Sequence, residues 1–120
     1  MKNRIRFISH RGKKILLVDC SNCSAEEVGD LAEQVPGRVT PEPLGSVLLL
    51  ADLTGSTVDK KALERIKPAL VFDRPHLKRS AWVGTDTLPK VFYEHLKSFS
   101  QRELPTFKTR EEALEWLVQD

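Results

Sequence analysis

The chain has 120 residues, 40% of them hydrophobic and 30% charged, with 19 Lys and Arg against 17 Asp and Glu and a net charge of +2. That length makes a single domain, residues 1–120, whose own core needs no disulfide or metal to hold it. So slight a charge, with acids and bases interleaved, excludes a nucleic-acid or anionic-membrane binder driven by its electrostatic field.

The N-terminal MKNRIRFISHRGKK lacks the apolar core of a secretory signal, and the longest apolar run is strand-sized, so no membrane insertion is expected. Two cysteines and no export signal point to the reducing cytoplasm. From Arg4 to Ser9, basic and apolar residues alternate as in a half-exposed strand. His10-Arg11-Gly12-Lys13 reads as a hairpin turn, with Gly12 free to take a positive φ. Lys14 to Asp19 (KILLVD) is an apolar strand buried on both faces.

Ser24-Ala25-Glu26-Glu27 is a capping box. Val28, Leu31, Ala32 and Val35 follow at helical spacing, and Pro36-Gly37 is expected to end that helix, with a proline-containing loop up to Gly45. Ser46 to Leu53 is the most apolar strand. Asp59 then caps a helix that presents Leu63, Ile66 and Leu70 on one face, with a kink or break expected at Pro68. Lys78 to Val83 is a further strand, closed by Gly84. Pro89 sits in the first turn of a helix whose apolar face is Leu88, Val91, Phe92, Leu96 and Phe99. A short strand at Thr106-Phe107 precedes a second capping box, Thr109-Arg110-Glu111-Glu112, and a helix burying Ala113, Trp116 and Leu117. The order is a hairpin and then α-β-α-β-α-β-α. It implies an α/β fold with a mixed sheet of about five strands and four helices, since parallel strands need crossover helices. No internal repeat stands out.

Cys20-Ser21-Asn22-Cys23 lies between a strand and a helix N-terminus, the setting that activates redox thiols. Ser24, not a cysteine, takes the cap position, so the pair reads first as small apolar residues at a strand end. His10, His76 and His95 are too far apart in sequence to complete a Cys/His metal set. Neither a G-x-S-x-G elbow nor a glycine-rich phosphate loop is present. Arg74-Pro75-His76-Leu77-Lys78-Arg79 is a basic cluster of the kind found at strand edges. The residues suggest no enzyme and no cofactor.

The loop after the most apolar strand, LLLADLTGSTVDKKAL, falls where α/β sheets place ligand and regulatory sites, beyond the carboxyl ends of strands. Taken as an ordered set, RIRFISHRGKKILLVD, LLADLTG, KRSAWVG and FKTREEALEWL resemble the SpoIIAA-like proteins of the STAS superfamily, the anti-sigma-factor antagonists, over nearly the whole chain. The resemblance implies a small cytoplasmic domain that binds another protein, with a mixed sheet beside four helices; lipid-binding CRAL-TRIO-like domains are among its relatives. Family members carry an Asp-Ser-Ser-Gly-Leu switch at this helix start, with the second serine phosphorylated. The matching residues here are Asp59-Lys60-Lys61-Ala62-Leu63, so lysine replaces both serines and Lys61 stands where the phosphate would attach. The resemblance thus implies a non-enzymatic interaction module without the usual switch. Its partner-binding residues would be Asp52, Thr54, Gly55, Ser56, Thr57, Asp59, Lys60 and Lys61, with Asp52 shaping the turn and the lysines supplying charge.

Three other readings are compared with it. Thr54, Ser56 and Thr57 are alternative phosphate acceptors, although small hydroxyl residues in turns mostly serve as hydrogen-bonding caps. A small apolar or lipid ligand would be held beneath the Leu88–Phe99 stripe in a cavity of roughly 300 Å³ or more. A receiver-type phosphoacceptor would use Asp52 with Asp19, Thr85 and Lys108. The chain is compatible with a monomer or a homodimer.

Overall fold

A computed structural model describes residues 3–100 and 104–119, with the side chains of Thr87, Phe99 and Ser100 excepted. Strands β1 (Ile5–His10) and β2 (Lys13–Asp19) form the expected hairpin, Ile5 opposite Val18 and His10 opposite Lys13. Its turn uses two left-handed residues, Arg11 at φ 50° and Gly12 at φ 78°, whose twist matches that of the antiparallel strands. Strands β3 (Val47–Asp52), β4 (Leu77–Val83) and β5 (Thr106–Phe107) add in parallel, giving a five-stranded mixed sheet in the order β1-β2-β3-β4-β5. Helices α1 (Ala25–Val39), α2 (Lys60–Asp73) and α3 (Lys90–Ser100) make the crossovers, and α4 (Arg110–Leu117) ends the fold. The α/β class, mixed sheet and four helices agree with the sequence.

From β2 onward each strand is added on the same side of the last. Right-handed crossovers that all step in one direction place all their helices on one face. Accordingly Val28 and Leu31 of α1, Leu63 and Ile66 of α2 and Leu96 of α3 share one apolar core with Leu16, Val18, Leu49 and Trp82 of the sheet. Only α4 lies on the other face, where Ala113 and Leu117 pack on Ile15, Leu17, Leu50, Ala81 and Val83. Apolar layers on both faces explain why β2 and β3 read as unbroken apolar runs.

Several helical expectations need correction. Helix α1 does not end at Pro36-Gly37 but runs through them to Val39, whose side chain is fully buried and anchors the last turn. The Pro36 carbonyl still accepts from Thr40 N–H at 2.9 Å, so the ring removes one donor without ending the ladder. Helix α2 is likewise unbroken at Pro68, an exposed position flanked by buried Ile66 and Ala69. In the α3 stripe Leu88 and Leu96 are buried and Phe92 half-buried, whereas Val91 is 56% exposed and faces away from the core; the Phe99 side chain lies outside the described residues. Trp116 of α4 is half-buried and stacks obliquely on Phe107 at 5.7 Å.

All three predicted N-caps form, at Ser24, Asp59 and Thr109, but only one of the two capping boxes is complete. Ser24 makes the full box with Glu27. Thr109 Oγ1 accepts from Glu112 N–H at 3.2 Å, but the Glu112 carboxylate meets the Thr109 hydroxyl instead of its N–H. Between α1 and α2, Arg65 donates to Glu33 and Asp30 at 2.6 Å each and to the Glu26 carbonyl at 3.3 Å. It lies across Gly29, where an added Cβ would come within 2.6 Å of its guanidinium, so glycine there admits the bridge.

Candidate functional site

Because β2 to β5 are parallel, their carboxyl ends share one edge of the sheet, and Asp19 and Asp52 are register partners there. Each aspartate folds the same turn. Asp19 Oδ1 accepts from the N–H of Ser21 at 3.0 Å and its hydroxyl at 2.5 Å. Asp52 Oδ1 accepts from the N–H of Thr54 at 2.9 Å and its hydroxyl at 2.6 Å. The next residue is left-handed in both, Asn22 at φ 57° and Gly55 at φ 69°. Cys23 N–H then reaches the Cys20 carbonyl at 3.3 Å, and Ser56 N–H the Leu53 carbonyl at 3.0 Å. Asp19–Ser24 (DCSNCS) and Asp52–Thr57 (DLTGST) are therefore one turn built twice, in neighbouring units, although no repeat stands out in the sequence as a whole.

The two turns stack. Asn22 N–H donates to the Thr54 carbonyl at 2.8 Å and Thr57 N–H to the Cys23 carbonyl at 3.0 Å. A Cβ on Gly55 would collide with Asn22 Oδ1, and one on Gly84, which has φ 71°, would collide with the Thr54 backbone. Glycine is required at both places by close approach and by conformation together.

Arg110, the first residue of α4, closes the assembly from the opposite face. Its Nε donates to Asp52 Oδ2 at 2.5 Å and its Nη2 lies 3.0 Å from Asp19 Oδ1. Arg4 adds a second guanidinium 3.7 Å from Asp19 Oδ1 and donates to the carbonyls of Asp19 and Ser21. Burial pushes the Asp19 carboxyl up, but the Ser21 hydrogen bonds and Arg110 outweigh it and leave it below the usual aspartate value. Burial opposes the charge on Arg110 as well, yet its two carboxylates hold its pKa above normal.

The edge is therefore a filled ledge and not a cleft. Ligand crevices in open sheets form where the strand order reverses, and this order never reverses. Both oxygens of Asp52 accept hydrogen bonds, Oδ1 from Thr54 and Oδ2 from Arg110. Among the described residues, no three His, Cys, Asp or Glu side chains come together as metal ligands. No described helix is long and apolar enough to cross a membrane.

Of the eight candidate partner-binding residues, Thr54, Gly55, Thr57, Asp59, Lys60 and Lys61 are exposed. Asp52 and Ser56 are each only 4% exposed and lie under the surface they were expected to form. Ser56 Oγ donates to the Leu53 carbonyl at 2.7 Å, and the Thr54 hydroxyl is spent on Asp52, so Thr57 is the hydroxyl of the three without such a role. Asp59 accepts from Ala62 N–H at 2.8 Å as the α2 cap, which puts Lys60 and Lys61 in the first turn. Compared with known proteins, the chain matches no family model, no curated protein and no solved structure. The SpoIIAA-like reading therefore rests on the ordered sequence segments and the arrangement of elements.

Arg110 and Arg4 were missed as site residues, and Asp19 entered only through the receiver-type reading. The readable signal was Asp-x-Ser/Thr after each of two apolar strands; nothing in sequence ties an arginine 58 residues on to Asp52.

The other candidates have structural roles. Burial first, and Cys23 second, push the Cys20 thiol up to about 12, the opposite of an activated redox thiol. Alkylation by iodoacetamide at pH 8 is therefore expected to be at least tenfold slower in the folded protein than in urea. Mass spectrometry of timed samples checks this, and equal rates would restore a reactive cysteine pair. In the basic cluster, Arg79 donates to the Trp116 carbonyl at 3.0 Å and His76 Nδ1 lies 2.8 Å from the Glu42 carbonyl, so both fasten neighbouring segments. Beneath α3 the expected ligand cavity is replaced by an apolar one between α1, α2 and the sheet, which at about 70 Å³ is too small for a lipid or drug-sized ligand.

Proposed function

We propose that this chain is a non-enzymatic interaction module of the SpoIIAA-like type, which presents the strand-end ledge to an acidic surface of a partner protein. The supporting observation is the division of labour at the ledge. The carboxylates of Asp19 and Asp52 are consumed in building it, and the exposed remainder is Thr54, Gly55, Thr57, two lysines and Asp59, whose carboxylate is engaged as the α2 cap. Lys60 and Lys61 take part in no ion pair among the described residues, so their charge is available to an incoming acid. The left-handed Gly55, with no side chain, leaves room for another backbone to approach.

Lysine at the helix start makes this contact constitutive. In relatives with serine there, phosphorylation would reverse the local charge; an ammonium keeps the sign fixed. Reversing it by Lys60→Glu/Lys61→Glu is expected to lower capture of the specific partner at least tenfold, through like-charge repulsion across the interface. Quantitative affinity capture beside wild type checks this, with the melting temperature as control for folding. Undiminished recovery of every specific partner by a folded variant would remove the ledge from the reading.

A further inference from the structure

We propose that the cavity between α1, α2 and the sheet binds a short alkylammonium ion, its ammonium on Asp73 and its chain on the apolar walls. Asp73, the last residue of α2, is 4% exposed and lines the cavity, and its Oδ1 is buried with no hydrogen-bond partner among the described residues. A buried acceptor left empty is a standing penalty, and a ligand that brings a donor removes it. Cys20 and Leu53 of the two strand-end turns also line the cavity, but the proposed ammonium site at Asp73 does not depend on the proposed partner.

The charge on the ligand follows from the lining. Among the described residues that line it, the charged or titratable groups are Asp73, Arg74 and the Cys20 thiol. Burial is the sole cause of an Asp73 carboxyl pushed up to about 7, so Arg74 does not neutralise it. Among the described residues no cation offsets this carboxylate, and an ammonium supplies both charge and donors. Ser80, 7% exposed and on the same cavity, offers a hydroxyl as a second acceptor. A carboxylate ligand would meet a like charge instead.

The length of the ligand follows from the volume. About 70 Å³ is less than half the roughly 150 Å³ of a cavity that admits benzene, so a chain of only a few carbons fits. The walls that would receive it include Val35, Leu49, Ile66 and Trp82. Leu70 and Arg74 are half-buried, so the end nearest Asp73 reaches the surface and provides an entrance.

The test is an NMR titration of the full chain at pH 8 with propylammonium, 1-propanol and propionate in turn. Propylammonium is expected to give saturable shifts at the Asp73 and Ser80 amides and the Trp82 indole. Propanol should bind at least tenfold more weakly and propionate not at all. Asp73→Asn and Asp73→Leu should both abolish the propylammonium shifts; the near-isosteric asparagine guards against a leucine variant that fails to fold. Shifts that rise linearly with concentration, equal binding of propanol, or undiminished binding by Asp73→Asn would each overturn the proposal.

Discussion

Replacing Asp73 by leucine is expected to stabilise the protein at pH 8 and to do so much less at pH 4. In the folded chain burial lifts this carboxyl from 3.8 to about 7, while the unfolded chain leaves it near its ordinary value. The folded state therefore binds the proton more tightly. Below about pH 4 both states hold the proton and the group is nearly neutral in its effect. As pH rises from 4 to 7 the unfolded state ionises first and gains, so stability falls and then levels off above 7. Some three pKa units at about 1.4 kcal/mol each give a loss of up to about 4 kcal/mol across that window. The gap between Asp73→Leu and wild type should open by that amount from pH 4 to pH 8, measured by urea denaturation at each pH. A constant gap would mean that water already reaches the carboxylate and that its burial is nominal.

The same residue shows why part of the structure was legible and part was not. Element order was readable because the signals are local: alternation in Arg4–Ser9, the Ser24 and Asp59 caps, and apolar runs in β2 and β3. The helix end at Pro36 was misjudged because a local breaker was weighed without the burial of Val39 beyond it. Asp73 in Phe72-Asp73-Arg74 has the look of a solvated helix end, and only the packing of α1 and α2 on the sheet closes it off. Val91 failed in the reverse sense: its spacing suits the core, but Leu88 and Leu96 suffice to seat α3, and Val91 is left in solvent. The residues that are exposed on the ledge could be named from the loop, whose small hydroxyl residues and lysines are contiguous in sequence. The ledge's foundation could not, because it depends on strands 33 residues apart being register partners and on a helix returning to the far face.

That foundation carries the second large expectation. Arg110→Met removes the cation that faces Asp19 and Asp52, whose side chains are 21% and 6% exposed. Truncating one partner of a fully buried pair costs roughly 3–5 kcal/mol, chiefly because the other charge is left unpaired. Arg110 is 34% exposed and Arg4 remains beside Asp19, so screening reduces the expected loss to about 2 kcal/mol. Asp52→Asn in the same background should recover part of it, since the amide still accepts from Thr54 while no longer requiring a counter-ion; a positive coupling of about 1 kcal/mol in the double-mutant cycle is the expected signature. The pH dependence has a definite sign. Asp19 is held below 3.8 in the folded state, so its contribution is present above that value and is lost as the group takes up its proton in acid. The penalty of Arg110→Met should therefore shrink below about pH 4. Amide exchange at Asn22 and at residues 54–57 supplies an independent readout, because those N–H groups hang on turns that the two aspartates fold. Faster exchange confined to these amides, with the α1 and α2 amides unchanged, would place the arginine's effect in the ledge. A loss under about 0.5 kcal/mol with unaltered exchange would instead show that the two Asp-x-Ser/Thr turns hold themselves, and that Arg110 adds only net charge.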